Sequence, residues 1–385
     1  MHRKLAWDFV PWMNAIRLIV AAAGFVPAAL FAQGSPGTSP ELHSDGKVTF
    51  RLQRPGAHEV TVALAGVDTP LKMTQAQGVW SLTTDPLASG AYWYSYVVDG
   101  KAELDPSNAD VVPNYVYLNS VVRVPGATAE LWERTGVPHG EVHQHFYESK
   151  VAKGLPGGRS EYFVYTPPGY DARGSTVYPT LYLLHGMTQG AADWTAMGGA
   201  NFVLDNLIAQ GKAKPMVVVM PLGYGDMALI GKGISDEGFG AAFTANDSLF
   251  GDVLLTEIVP RVEAEYRVAA TRDRKAIAGL SMGGSQSLEI GLNRTRNDGT
   301  GEFAWIGGFS AAAQFVQRPA KGGRASKLRL LWISCGTADT LLEPNRKLTA
   351  ELQAKGYAVK AVETPGAHIW PVWDRNLVDF VQLLF

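Results

Sequence analysis

The sequence predicts an α/β fold in two parts, a small all-β sandwich followed by a larger domain built on a parallel sheet. Between residues 41 and 125, apolar and polar residues alternate in short runs separated by turn signals, as in strands with one buried face. Within residues 140–385, continuous apolar runs alternate with helical patterns, which is typical of a buried sheet covered by helices on both faces. A chain of 385 residues is also longer than the chains that usually fold around a single hydrophobic core, which favours two domains.

The first 40 residues are predicted to precede the folded domains. The run from Leu18 to Ala32 is apolar, follows basic residues and ends on a small residue. It is shorter than the roughly 20 apolar residues that cross a bilayer and contains Pro27, which favours a cleaved secretory signal peptide at 1–32 over a membrane anchor. Residues 33–40 are rich in Gly, Ser and Pro and are predicted to form a linker. We expect a secreted or periplasmic protein that is free of the membrane after cleavage.

Composition excludes several classes of partner. The net charge of -2 gives no electrostatic footprint for a nucleic acid. The one cysteine, Cys335, cannot form an internal disulfide. The histidines lack acidic or cysteine partners at the spacing of zinc ligands, and no glycine-rich phosphate loop is present. We therefore expect neither a metal nor a cofactor.

The sandwich is predicted from short strands with a period of two. Its strand patterns carry five aromatic residues at Trp80, Tyr92, Trp93, Tyr94 and Tyr96. Alternation along a strand buries about half of such side chains, so they can stack on sugar rings or pack in the core. Both interpretations stay open at this point. A connector at 126–139 leads into the second domain.

The second domain alternates predicted strands and helices. The strands are expected at 179–186, 216–221, in the run ending at residue 279, at 328–336 and at 358–363. The helices are expected near 199–210, around 250–262, after Ser281, and in segments opened by Pro344 and by Pro371. The segment 223–250 is rich in glycine and lacks clear periodicity, so it is predicted to be a functional connection that forms a lid or pocket wall.

The stretch "AIAGLSMGG" places Ser281 between glycines, after an apolar strand and before a helical pattern. A sharp turn from strand to helix lifts a hydroxyl out of the sheet, and glycines let the two elements approach closely. The helix N-terminus supplies positive partial charge where an oxyanion would form. The simpler alternative is a serine that caps a helix. The pattern predicts a nucleophile at Ser281.

A serine nucleophile requires a histidine base and a carboxylate that orients it. His368 is the one histidine downstream of Ser281, in the loop "PGAHIW" that follows a predicted strand. Asp339 follows the strand "LRLLWISC", at a carboxyl end where α/β sheets gather their ligands. The three residues therefore predict a catalytic triad at one edge of the sheet. Glu343 and Asp374 are the reserve acids.

An oxyanion hole needs two backbone donors. The amide of Met282, next to the nucleophile, is predicted to be one of them. The second is expected in the loop after "LYLLHG", at the amide of Met187, with Thr188 as the alternative. His185 precedes the serine in sequence and is interpreted as a residue that shapes this loop.

Several motifs, taken together, resemble a known family. "GLSMGG", "LLHG" followed by "DW", "CGTAD", "GAHIWPVW" and "YTPPGY" resemble the esterase family that contains carbohydrate esterase family one, feruloyl esterases and mycolyltransferase relatives. The resemblance covers residues 140–385 and implies an α/β-hydrolase domain. The segment 41–125 resembles the immunoglobulin-like early-set modules assigned to carbohydrate-binding module family forty-eight. One departure is "GAH" where relatives often have "GGH".

The resemblance implies a secreted serine carboxylesterase that hydrolyses feruloyl esters on plant cell-wall xylan. The alternatives are an acetyl-xylan esterase, a siderophore esterase of the enterochelin type, and a non-catalytic carbohydrate-binding protein. The expected substrate of such an esterase is a feruloylated or acetylated polysaccharide. Xylan is the expected ligand of the N-terminal module, if that module binds sugar. Four aromatic residues near the predicted mouth are expected either to face a hydroxycinnamoyl ring or to pack: Trp194, Tyr224, Phe243 and Trp370.

Overall fold

The structure is a computed structural model. It describes residues 37–112, 114–116, 119–126, 130–295, 301–319 and 327–385. The predicted signal peptide at 1–32 and the first half of the predicted linker lie outside the described residues. No helix in the described part is long and apolar enough to cross a membrane.

The N-terminal module consists of two antiparallel sheets. Its first sheet has the order β1-β2-β6-β5, and its second has the order β4-β3-β7-β10-β9, with β8 paired to β7. The bounds of these strands are β1 Glu41–Leu42, β2 Val48–Gln53, β3 Val60–Leu64, β4 Leu71–Lys72, β5 Thr74–Ala76, β6 Val79–Thr83, β7 Gly90–Val98, β8 Lys101–Glu103, β9 Val111–Val112 and β10 Asn119–Val124.

Alternation along these strands builds the core of the module. On β7, Tyr92, Tyr94 and Tyr96 face inward and are at most 4% exposed. The hydroxyls of Tyr94 and Tyr96 both donate to the buried carboxylate of Asp105. A buried polar group is costly unless it finds such partners, so this network allows tyrosine in the core. The intervening Trp93 points to the opposite face of the sheet.

The second domain is built on an eight-stranded mixed sheet with the order β11-β12-β14-β13-β15-β16-β17-β18. β12 is antiparallel to both of its neighbours, β11 and β14. All other neighbouring strands in the sheet are parallel. This order is the arrangement of α/β-hydrolases, as the resemblance implied. The bounds are β11 Glu141–Glu148, β12 Arg159–Thr166, β13 Thr180–Leu184, β14 Val217–Pro221, β15 Lys275–Leu280, β16 Trp305–Phe309, β17 Leu330–Gly336 and β18 Val359–Thr364.

Helices cover both faces of this sheet. Their bounds are α1 Asp193–Ala196, α2 Ala200–Ala209, α3 Phe239–Val253, α4 Val259–Glu265, α5 Ser281–Asn293, α6 Leu342–Ala354 and α7 Trp370–Val381, with a π-helical turn joining α3 to α4. One face packs against α2 and α7, and the other packs against α3, α4, α5 and α6. The central strands β13, β14 and β15 are buried along their whole length because helices cover them on both sides.

The structure differs from the sequence prediction at several elements. The segment 223–250 was expected to lack regular structure, but its second half forms most of α3. The helix predicted around 250–262 begins earlier, at Phe239. Glycine and alanine near the start of α3 hide the amphipathic periodicity there, so the sequence did not indicate this beginning. β12 and β16 were not predicted, and α6 begins at Leu342, before Pro344.

The N-terminal module packs directly on the second domain. The rings of Trp93 and Trp373 lie 6.4 Å apart. A Cβ added to Gly90 would lie 2.6 Å from Pro371 Cγ, so β7 approaches the start of α7 too closely for a side chain. Arg123 of β10 donates to the carbonyl of Ala196. The module is therefore in contact with the first turn of α7 and with the end of α1.

Candidate active site

Ser281 occupies a strained turn between β15 and α5. Its φ of 53° lies in the left-handed region that residues with a side chain seldom adopt. A Cβ added to Gly279 would lie 2.6 Å from the Gly283 carbonyl carbon, and one added to Gly283 would lie 2.5 Å from Leu184 O. Strand and helix therefore meet at van der Waals contact of their backbones. Ser281 is partly exposed at this turn, as the pattern predicted.

Asp339 and His368 are joined by a hydrogen bond at the same edge of the sheet. His368 Nδ1 lies 2.7 Å from Asp339 Oδ2, and the Leu341 amide donates to Asp339 Oδ1 at 2.8 Å. The aspartate side chain is fully buried, whereas the histidine side chain is 34% exposed. The bond holds the ring proton on Nδ1 and leaves Nε2 as the basic nitrogen.

The charge state of Asp339 suits this pairing. Burial by itself would raise the pKa of Asp339, but the hydrogen bond and charge of His368 and the Leu341 amide outweigh burial and lower that pKa below its ordinary value. The reserve acids do not take this position. Glu343 is exposed and pairs with Arg346, and Asp374 is fully buried within α7. Of the three candidates, Asp339 is the acid bonded to His368.

The predicted oxyanion donors flank Ser281. Met282 lies in the first turn of α5, where the helix N-terminus leaves backbone amides without helical partners. A Cβ added to Gly186 would lie 3.4 Å from Ser281 Cβ, so the loop that carries Met187 passes beside the nucleophile. Thr188, the alternative donor, has a φ of 69°. The amides of Met187 and Thr188 therefore both belong to a loop that is adjacent to the serine.

His185 joins the segments around this site rather than acting as a base. Its Nε2 accepts the amide of Gly223 at 2.8 Å, so its Nδ1 carries the proton and donates to the carbonyl of Gly186. Burial lowers the pKa of His185 to about 4 and keeps the ring neutral. The side chain of Gln286, on α5, donates to the Gly223 carbonyl. This role agrees with the expectation that His185 shapes the loop.

The four aromatic residues proposed for substrate contact lie in the interior. Trp194, Tyr224, Phe243 and Trp370 are each at most 3% exposed. Trp194 packs edge-on against Trp370 and donates its indole N–H to the Leu184 carbonyl. A ring enclosed in this way offers no free face to a ligand. The structure therefore assigns these four side chains to packing, and the expectation that they line the pocket surface is corrected.

A different set of apolar side chains packs around Met282, the residue that follows the serine. A buried cluster that contains Met282, Tyr224 and Phe243 is covered by partly buried side chains. We call these partly buried residues the apolar wall: Leu155, Phe163, Met187, Met227, Ile230, Ala242 and Phe315. Phe315 follows β16 in a short turn, where the Ala312 amide donates to the Ser281 carbonyl. Sequence reasoning missed Phe315, because a lone phenylalanine in a loop gives no signal of its surroundings.

The aromatic residues of the module offer little surface for sugar. Trp80, Tyr92, Tyr94 and Tyr96 are buried in the module, and Trp93 packs towards Trp373. They therefore form no exposed sugar platform. Among the described residues, no group of three or more His, Cys, Asp or Glu side chains is arranged to hold a metal ion.

Comparison with known proteins agrees with this architecture. The family described as "Putative esterase" matches residues 155–384, which is more than half of the chain. A curated "Endo-1,4-beta-xylanase/feruloyl esterase" of Xylanibacter ruminicola is 30% identical over 372 residues, covering 94% of this chain and 47% of the relative. The chain thus spans about half the length of that relative.

Solved structures share the fold. A ferulic acid esterase of Anaeromyces mucronatus has a TM-score of 0.54 at 21% identity, covering 72% of this chain and 97% of that one. The enterochelin esterase of Shigella flexneri has a TM-score of 0.64 at 17% identity, covering 89% of this chain and 93% of that one. The predicted α/β-hydrolase domain with an all-β module before it is confirmed. The chain belongs to this esterase family.

Proposed function

We propose that this protein is a serine carboxylesterase that hydrolyses feruloyl esters on plant cell-wall xylan. The observation that carries the proposal is the 2.7 Å hydrogen bond between His368 and buried Asp339, at the sheet edge where Ser281 occupies its strained turn. A base oriented by a carboxylate and a hydroxyl lifted from the sheet are the two requirements for an acyl-enzyme.

In this mechanism His368 Nε2 removes the proton from Ser281 Oγ as that oxygen attacks the ester carbonyl carbon. The amides of Met187 and Met282 donate to the resulting oxyanion. The intermediate collapses, the carbon–oxygen bond to the alcohol breaks, and His368 returns the proton to the departing oxygen. Water then attacks the acyl-enzyme by the same route and releases the acid. Asp339 stabilises the imidazolium formed in each half of the reaction.

The apolar wall supports an aromatic acyl group. Met187 connects the predicted oxyanion loop to this wall, and Phe315 is held near Ser281 by the bond between Ala312 and Ser281. An acetyl group is too small to use a wall of this extent, whereas a hydroxycinnamoyl ring buries enough area to be held by it. The named activity of the Xylanibacter relative favours the same acyl group.

The test compares the wild-type protein with Ser281→Ala on methyl ferulate, acetylated xylan and p-nitrophenyl acetate. We expect the wild type to have its highest kcat/KM on methyl ferulate and Ser281→Ala to lose at least about 10³-fold in kcat. Ser287→Ala is the matched control, because it removes a hydroxyl that donates to the Gly283 carbonyl within the same helix. Near-full activity in Ser281→Ala overturns the serine mechanism, and a preference for acetylated xylan overturns the feruloyl assignment.

A siderophore esterase is the second candidate. The match to the enterochelin esterase of Shigella flexneri covers 89% of this chain, and the match to the Anaeromyces enzyme covers 72%. At 17% identity that likeness concerns the fold. A triacyl catecholate anion would favour a basic pocket, but the wall that packs around Met282 is apolar. Hydrolysis of enterobactin faster than methyl ferulate would reverse this ranking.

Two further parts of the proposal concern location and binding. The apolar run from Leu18 to Ala32 supports export to the cell exterior or periplasm after cleavage of a signal peptide. N-terminal sequencing of the secreted protein tests this, with a start near Gln33 as the expected result.

Xylan binding by the module would need a surface other than its buried aromatics, and co-sedimentation of the whole protein with insoluble xylan tests it.

A further inference from the structure

The N-terminal module reaches the loop that carries the predicted oxyanion donor. Asn114 Nδ2 donates to Thr188 Oγ1 at 2.9 Å, and the amide of Tyr115 donates to the carbonyl of Thr188 at 2.9 Å. Asn114 and Thr188 are 74 positions apart in the chain. One residue of the loop is thus held through both its side chain and its backbone by a neighbouring structural unit.

Thr188 is a residue that needs such support. With a φ of 69° it lies in the left-handed region, where a β-branched side chain is strained. Such strain persists only where surrounding contacts hold it. The carbonyl and hydroxyl of Thr188 are the groups that Tyr115 and Asn114 bind, so the module supplies contacts that offset the strain. Thr188 directly follows Met187, whose amide is the predicted donor.

The ring of Tyr115 supports the same loop from outside. A Cβ added to Gly190 would lie 3.8 Å from this ring, and the ring packs edge-on against Tyr224 with centroids 5.7 Å apart. The Tyr224 hydroxyl donates to the Gln189 carbonyl at 3.2 Å. Loop 186–190 is therefore in contact with a pair of packed tyrosines, of which Tyr224 is buried and Tyr115 is exposed.

We propose that Asn114 and the Tyr115 backbone are positioning elements of the active site, so that the N-terminal module sets the geometry of the oxyanion hole. This inference rests on the proposed esterase function. Asn114 fixes Thr188, Thr188 fixes the orientation of the preceding Met187 amide, and that amide donates to the oxyanion that forms on the substrate. The module thereby acts on the chemical step without touching the reacting atoms.

The inference predicts a particular kinetic signature. An oxyanion exists only in the transition state and intermediates, so a misplaced donor lowers kcat while KM changes little. Removal of a whole oxyanion donor costs on the order of 10²–10³ in kcat, and a displaced donor should cost less. We expect about a 10-fold loss of kcat in Asn114→Ala, with KM within about twofold of the wild type.

The experiment is a double-mutant cycle in the full-length protein with p-nitrophenyl acetate, using Asn114→Ala, Thr188→Val and the double variant. We expect each single variant to lower kcat and the double variant to lose no more than either single variant. The matched control is Asn108→Ala, because Asn108 donates to Tyr94 and to the Val121 carbonyl within the module. We expect this control to lower the melting temperature but leave kcat within about twofold.

Two further readouts separate positioning from general destabilisation. A boronic acid that forms a tetrahedral adduct should bind Asn114→Ala more weakly, in proportion to the loss of kcat. Hydrogen exchange at 186–190 should rise in Asn114→Ala and Thr188→Val but not in Asn108→Ala, whether or not the enzyme turns over. Unchanged kcat and exchange in Asn114→Ala overturn this inference alone. Absent wild-type turnover, or full activity in Ser281→Ala, overturns the proposed function instead.

Discussion

The sheet edge that carries the predicted triad and the apolar wall beside it are built in different ways. Ser281, Asp339 and His368 each follow a strand of one sheet, and the acid and base are bonded directly. Most of the wall is assembled from separate connections, including the turn at Phe315 and the segment around Met227, with single side chains from β12 and α3. The first region is held by the sheet, whereas the second depends on loops. Catalytic power and substrate choice should therefore respond to different substitutions.

The largest expected effect tests the sheet-edge region. Asp339→Asn keeps the shape of the side chain but removes the charge that holds the His368 proton on Nδ1. An amide in this place favours the wrong tautomer and leaves the imidazolium without a counter-charge. We expect kcat on methyl ferulate to fall by about 10³–10⁴ with little change in KM.

Asp374→Asn is the matched control for this substitution. Burial raises the pKa of Asp374 well above its ordinary value and so favours the neutral carboxyl, which an amide resembles closely. We expect turnover within about twofold of the wild type. If Asp374→Asn abolishes turnover while Asp339→Asn preserves it, the acid has been assigned to the wrong residue.

The same contrast explains how far the site could be predicted from the sequence. Ser281, Asp339 and His368 were predicted because each follows a predicted strand, and the carboxyl ends of parallel strands meet at one edge of a sheet. The glycines around Ser281 predicted the close approach of β15 and α5. These are local signals, and a single sequence contains them.

The residues of the wall have no such signal. Trp194 and Tyr224 were expected at the pocket surface because of their chemistry, but they lie in the interior, where they pack against other rings. Whether an aromatic side chain faces a pocket or the core depends on contacts between distant segments. Asn114 shows the same limitation, since its contact with Thr188 joins two units of the fold.

A smaller effect tests the wall. Phe315→Ala removes a ring that lies 4.6 Å from Phe243 and follows the segment bonded to Ser281. A feruloyl ring should lose apolar contact worth roughly 1–2 kcal/mol, whereas an acetyl group should lose little. We expect KM for methyl ferulate to rise about 10-fold and KM for p-nitrophenyl acetate to change less than twofold.

Phe146→Ala provides the control for this comparison, because Phe146 is 55% exposed on the edge strand β11. It should leave both KM values unchanged. Equal losses on the two esters in Phe315→Ala would mean that the ring supports the nucleophile rather than the acyl group.

A substitution at Asp247, beneath the wall, is expected to change turnover least. Its main effect is expected on the pH dependence of stability. This residue of α3 is buried and accepts a hydrogen bond from Ser285 of α5 at 3.1 Å. Burial raises the pKa of Asp247 to about 8, despite hydrogen bonds that lower it. The folded protein therefore keeps this proton between about pH 4 and pH 8, while the unfolded chain releases it. Since the folded state then binds more protons, stability falls as pH rises through that interval.

Asp247→Asn removes the titration while keeping a neutral side chain of the same shape. We expect the variant to match the wild type near pH 4 and to unfold at a higher temperature at pH 8, by an amount equivalent to a few kcal/mol. Thermal unfolding at several pH values measures this, with Asp252→Asn on the partly exposed side of α3 as the matched control. Parallel stability curves for Asp247→Asn and the wild type would show that Asp247 is ionised in the folded protein. In that case the layer beneath the wall would be held by charge, and the separation between a rigid sheet edge and an apolar recognition surface would be less complete than the packing indicates.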